Sequence, residues 1–123
     1  MRINIYKASG SMRVEKGRVR RLLRRALGDE GKDFSEINVI LADDQYLRGL
    51  NETWFRKKHS TNVISFNLGD VAEIYVSQDR ARDVEELYYF ILHGLLHVIG
   101  YHHRDEKESL CMEKKCLEYL AHE

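Results

Sequence analysis

The segment DVEELYYFILHGLLHVIG, from Asp83 to Gly100, organises the rest of the chain. Leu87, Tyr88, Ile91, Leu92, Leu95 and Leu96 recur at helical spacing on more than one face, which predicts a helix from Val84 to Ile99 buried in the middle of a domain. Asp83 with Glu86 three residues on resembles a capping box at its start. Gly100, free to adopt positive φ, is placed to stop it.

Working outward, a last helix is predicted from near Asp105 to Leu120, with Leu110, Leu117 and Leu120 facing inward. Upstream, Asn62 to Phe66 and Glu73 to Ser77 read as two strands joined by the turn-prone Asn67-Leu68-Gly69-Asp70, a hairpin. Before them, Asp43 caps a helix whose apolar side is Leu47, Leu50 and Trp54. Ile37, Val39 and Leu41 alternate as a strand over Glu36 to Leu41. Val19, Leu22, Leu23, Ala26 and Leu27 mark a helix opened by Ser11 and ended by Gly28. Ile3 and Ile5 give a first short strand. The order is β-α-β-α-β-β-α-α, an α+β fold with about four strands and flanking helices.

At 123 residues, without proline, repeat or linker, the chain is expected to form one domain over 1–123. The N-terminal MRINIYKASG lacks the apolar core of a secretory signal, and no apolar run is long enough to span a bilayer, so a cytoplasmic location and no membrane partner are expected. Cys111 and Cys116 point to different faces of the last helix, which disfavours a disulfide and suits core packing in a reducing compartment. The zero net charge hides an asymmetry: 14 Lys+Arg face 8 Asp+Glu through Asn67, and 6 face 12 beyond it. A polyanion-facing side and an acidic side are implied.

The chemistry is concentrated in HGLLHVIGYHH, His93 to His103. His93 and His97, four apart, leave the same face of a helix and can reach one metal ion. A turn at Gly100 brings His103 back toward them. Three imidazoles leave a fourth position for water, the arrangement of a catalytic zinc. One histidine on an apolar helix is ordinarily a hydrogen-bonded core residue; three around a glycine turn have little other purpose than a Zn2+ ion or a similar divalent metal. The spacing equals the H-x-x-x-H-x-x-G-x-x-H of metzincin proteases, but Gly94 stands where those enzymes carry the general-base glutamate.

HGLLHVIGYHH also resembles the HGxLHLxGYDH signature of the YbeY family, rRNA maturation factors and endoribonucleases. Leu50-Asn51, Trp54 and Thr61-Asn62-Val63-Ile64-Ser65-Phe66 are similar to the family's LN-x-x-YRGKD-x-PTDVLSF. Ala72 to Ser77 resembles its G-[DE]-I-x-[IV]-[CS] strand, and Leu41-Ala42-Asp43-Asp44 the opening of its second helix. The resemblance implies a small mixed sheet with a central, zincin-like ligand-bearing helix. It also implies a metal-dependent hydrolase acting on single-stranded RNA, with His93, His97 and His103 as zinc ligands. The implied partner is the small ribosomal subunit, and the implied role is maturation of the 16S 3′ end and ribosome quality control. The family arginine aligns with Phe55, leaving Arg56 one place later as the phosphate-positioning candidate. Asn62 and His102 replace family aspartates, and Ser60 and Asn67 replace prolines.

Two other readings stay open on the sequence: a ribosome-assembly RNA-binding factor with a structural or weakly catalytic metal, and a small metalloprotease. Arg18, Arg20, Arg21, Arg24 and Arg25 make either a solvated helix face or a phosphate contact, and Arg56, Lys57, Lys58 and His59 a second basic cluster. Trp54, Tyr88, Tyr89 and Phe90 read as core or groove lining, with base stacking as the alternative. Asp70 and Glu73 are surface carboxylates by default, and His102 is expected to point away from the site. Nothing in the sequence sets an oligomeric state or names a general base.

Overall fold

A computed structural model describes residues 1–122. The elements follow the expected order: β1 (Arg2–Lys7), α1 (Lys16–Glu30), β2 (Glu36–Ala42), α2 (Asp44–Phe55), β3 (Val63–Asn67), β4 (Val71–Ser77), a 3-10 turn (Gln78–Arg80), α3 (Val84–Val98) and α4 (Glu106–Ala121). The four strands form one mixed sheet in the order β1-β2-β4-β3. β1, β2 and β4 run parallel, with Ile5 beside Val39 and Val39 beside Ile74. β3 pairs antiparallel with β4, Ser65 beside Ile74, and forms one edge of the sheet.

Strand alternation assigns the two faces. Ile37, Val39, Leu41, Ala72, Ile74 and Val76 pack against α1, α3 and α4 in the main core. On the other face Ala42 and Ile64 bury Leu47 of α2, with Leu50, Phe66 and Tyr75 around them. α3 is the buried central helix its composition predicts, with Leu87, Leu92, Leu95 and Leu96 fully enclosed.

Four readings need correction. α1 starts after Glu15, not at Ser11, because the preceding backbone is held from far away in sequence. Gln78 Oε1 accepts from Met12 N–H at 2.8 Å, and the Tyr88 hydroxyl from Glu15 N–H at 2.9 Å. The helix also runs through Gly28 and ends at left-handed Gly31, where Lys32 N–H closes onto the Leu27 carbonyl at 3.0 Å. In α4 the inward side is Met112, Cys116 and Tyr119, whereas Leu110 and Leu117 are 57% and 52% exposed and Leu120 is half-buried. The Tyr119 hydroxyl sets that phase by donating to Glu30 at 2.7 Å. Trp54 is not core: it is 65% exposed, since Leu47 and Leu50 already seat α2.

Candidate metal centre

Asp83 caps α3 by accepting from Glu86 N–H, but the reciprocal half of the capping box is absent: the Glu86 carboxylate takes the Arg82 N–H at 3.1 Å instead. The helix lies close against β3 and β4, and Gly94 is the reason. A Cβ there would fall 2.6 Å from Ile74 Cγ2 and 2.8 Å from Val63 Cγ2. The position that follows the first histidine therefore faces the strands. A glutamate in it would be driven into the sheet, so the metzincin arrangement is closed to this fold.

His93 and His97 leave α3 together, their Nε2 atoms 3.1 Å apart. At the helix end Gly100, with φ of 111°, reverses the chain, and Tyr101 N–H bonds back to the Leu96 carbonyl at 2.9 Å. That turn carries His103 onto the pair, with ring centroids 4.6 Å from His97 and 5.6 Å from His93. One ligand nitrogen from each of the three lies within 4.8 Å of the others.

The protonation of the rings suits a cation. His97 Nδ1 faces the Tyr101 carbonyl at 3.1 Å, and a carbonyl only accepts, so Nδ1 carries the proton and Nε2 keeps its lone pair. Burial, and secondarily the neighbouring His97 and His103, push the His93 pKa down to about 4. Burial and then His103 lower His97 as well, with the Tyr101 carbonyl pulling the other way. Both are neutral donors at neutral pH. Two nitrogens on a tetrahedral zinc, each at about 2.05 Å, stand about 3.3 Å apart, which is close to the observed Nε2 separation. His93 Nδ1, by contrast, is buried without a hydrogen-bond partner.

The histidines sit in the wall of a cavity of about 410 Å³. Thr61, Asn62 and Val63 bound it on the β3 side, Tyr89 and Phe90 on α3, and Ser109 and Glu113 on α4. Tyr89 lies over His93 with the ring planes 27° apart. Sequence reasoning did not single out Ser109 and Glu113. They are four residues apart on α4 and carry no motif, and Glu113 is exposed, so no local signal marks it.

The other sequence candidates divide. His102 is outside the three-histidine cluster and lines a separate hollow with Cys111 and Glu108. Arg56 ends α2 in the left-handed region with φ of 56°, and it is not part of the cavity wall. Phe55 stacks on Phe66, their centroids 5.9 Å apart. Ser60 and Asn67, in place of prolines, hold the structure: Ser60 donates to Asp44 at 3.1 Å, and Asn67 to the Val98 carbonyl at 3.0 Å. Glu73 is engaged by the Tyr75 hydroxyl, and Asp70 accepts from Ser35 through its backbone carbonyl. The α1 arginines are largely tied down: Arg18 to Glu85 at 2.6 Å, Arg20 to the Ile3 carbonyl and Arg24 to that of Met1. Cys116 is buried as expected, but Cys111 is exposed rather than packed in the core. No helix among the described residues is long and apolar enough to cross a membrane.

Comparison with known proteins agrees with this geometry. The family profile described as Endoribonuclease YbeY matches residues 4–122. An endoribonuclease YbeY of Neorickettsia sennetsu is 37% identical, the match covering 74% of each chain. That of Syntrophus aciditrophicus is 30% identical over 94% of this chain and 85% of its own. A solution structure of a Thermotoga maritima protein superposes with a TM-score of 0.60 at 28% identity, covering 96% of this chain and 86% of the other. With the sheet order, the histidine cluster and the near full-length match in accord, the chain belongs to the endoribonuclease YbeY family.

Proposed function

We propose that this protein is a zinc-dependent endoribonuclease that cuts single-stranded RNA during maturation of the 16S 3′ end, and that it serves ribosome quality control on the small subunit. The observation that carries the reading is the convergence of three imidazole donors within 4.8 Å in the wall of an open cavity. The names of its relatives supply the substrate class.

In this reading His93, His97 and His103 hold the ion. A zinc ion there would supply Lewis acidity toward a phosphoryl oxygen and lower the pKa of a coordinated water to about 7. The chain's own groups do the rest. The Tyr101 carbonyl fixes the His97 ring through Nδ1–H. Thr61, Asn62 and Ser109 bring neutral hydrogen-bond donors to the cavity wall for phosphate oxygens. Glu113 brings a carboxylate, which we assign as proton acceptor. Arg56, outside the wall, is assigned a phosphate contact on the approach.

The test is metal content by mass spectrometry on wild type and His97→Ala, paired with cleavage of a single-stranded rRNA fragment carrying the 16S 3′ end. About one zinc per chain, with zinc and cleavage both lost in the variant, is the expected result. Cleavage retained in the zinc-free variant would sink the metal-dependent reading. Zinc and small-subunit binding without any wild-type cleavage would leave an assembly factor with a structural ion instead.

A further inference from the structure

The face of the sheet opposite the histidines carries rings that the fold does not bury. Trp54 is 65% exposed, Phe55 47% and Tyr46 44%, while Phe66 and Tyr75 are half-buried beneath them. The rings touch in sequence. Tyr46 stacks on Tyr75 with centroids 6.0 Å apart, Tyr75 meets Phe66 edge-on at 5.9 Å, and Phe66 meets both Phe55 at 5.9 Å and Trp54 at 6.2 Å. Leu47 and Leu50 already anchor α2, so Trp54 and Phe55 add little to its seating.

The charge at the Trp54 and Phe55 end of these rings is positive. Arg56, Lys57 and Lys58 follow Phe55 directly, and among the described residues their side chains make no ion pair or hydrogen bond. Of the carboxylates bordering the rings, Glu52 faces Arg48 at 3.9 Å and Asp44 faces Arg80 at 2.8 Å. Glu73, held by the neutral Tyr75 hydroxyl, and Asp43, the cap beside Tyr46, keep their charge at the Tyr75 end, away from Arg56 to Lys58 in sequence. Stacked aromatic faces beside unpaired cations suit a single strand of nucleic acid: each base offers a π-face and each phosphate a charge.

The edge strand connects this face to the cavity. Val63 of β3 lines the cavity, whereas Phe66, three residues on, belongs to the ring ladder. β3 has β4 as its one strand neighbour, so a strand lying on the rings reaches the histidines by rounding a single open edge.

We infer that the ladder of Trp54, Phe55, Phe66 and Tyr75, with Arg56, Lys57 and Lys58, is an accessory platform on which single-stranded RNA stacks outside the cleavage cavity. The inference rests on the RNA reading above and extends it to a second surface. Trp54 is the sole tryptophan, so its fluorescence reports directly on stacking.

The experiment uses the zinc-loaded full chain and a labelled single-stranded oligoribonucleotide of about 15 nucleotides. Tryptophan quenching and anisotropy are followed together, and cleavage of a tetranucleotide is measured in parallel. The platform predicts quenching that saturates with binding. Trp54→Ala/Phe55→Ala should weaken the long oligonucleotide at least about 10-fold, since one stacked base is worth about 5- to 150-fold. Tetranucleotide cleavage should stay within about twofold, and Trp54→Phe should recover most of the affinity. Lys57→Ser/Lys58→Ser should lower the salt slope of binding by about 1.4, at about 0.7 per lost phosphate contact on a single strand. Binding and cleavage by wild type with neither quenching nor any loss in the double variant would overturn the platform while leaving the nuclease reading intact. Wild type that neither binds nor cleaves RNA would refute the nuclease reading, and the platform with it. Concentration-dependent quenching without RNA, matched by dimers in sedimentation, would assign the rings to a second copy of the chain and overturn the inference.

Discussion

Replacing Gly94 by alanine sets two well-known effects against each other. Helix propensity favours the change by about 1 kcal/mol. Against it, the new methyl would lie 2.6 Å from Ile74 Cγ2, and ordinary contact begins at 3.4 Å, so something must yield by about 0.8 Å. Neither obvious partner yields easily. Ile74 is fully buried in a central strand, and both opposing atoms are γ-methyls of β-branched side chains with stiff χ1. Overpacking of this kind costs about 1–3 kcal/mol, and two contacts at once put the cost at the upper end. The expected net is a loss of about 1–2 kcal/mol, or about 4–8 °C in Tm for a chain of this size. Thermal unfolding by circular dichroism, with zinc removed so that ion binding does not mask the change, is the assay. Gly94→Ala in an Ile74→Leu background, which removes the γ2 methyl at nearly constant volume, should recover part of the loss. A Tm for Gly94→Ala equal to or above wild type would refute the reasoning, since propensity would then have won and α3 would not be seated as tightly as described. Gly94→Glu should destabilise further and should not create peptidase activity.

Glu113→Gln should keep its zinc yet cut RNA at least about 100-fold more slowly, as removal of a proton acceptor does; unchanged single-turnover rates would dismiss that role. Glu30→Ala strips the acceptor from both the Tyr101 and Tyr119 hydroxyls, each 2.7 Å away. It should cost about 2 kcal/mol in denaturant unfolding and weaken zinc binding, because Tyr101 lies in the turn that delivers His103. Exposed Cys111 should react with a thiol reagent in the native protein while buried Cys116, its thiol pushed up to about 12 chiefly by burial, waits for unfolding. Two fast thiols under native conditions would contradict the packing of α4.

What the sequence disclosed depended on how local each cause was. α3 and its histidines were legible because helical period, a capping aspartate and a stop glycine all act within a few residues of one another. The hairpin was legible for the same reason. The start of α1 was not, because its determinants are Gln78 and Tyr88, far along the chain. In α4 a leucine pattern competed with Met112, Cys116 and Tyr119, and the winner was decided by Glu30 on another helix. The placement of β4 between β2 and β3 has no local signature at all. The ring ladder was misjudged at Trp54 because composition cannot tell an aromatic side chain that packs from one left over after Leu47 and Leu50 have filled the space. Glu113 was missed because an exposed glutamate on a charged helix carries no local mark.

All three donors of the candidate metal centre come from one short stretch of chain, residues 93–103. An ion bound there would tie down a helix end and the turn after it, and it would crosslink no two distant parts of the fold. The sheet, α1 and α2 supply none of its donors, and α1 meets the turn through the bond from the Tyr101 hydroxyl to Glu30. Unlike a zinc finger, whose ligands gather segments that fall apart without the ion, this arrangement would let an ion leave and return with the rest of the fold in place. On the proposed reading, the metal bound would then follow the supply of ions around a finished protein, subject to the preferences of three imidazoles.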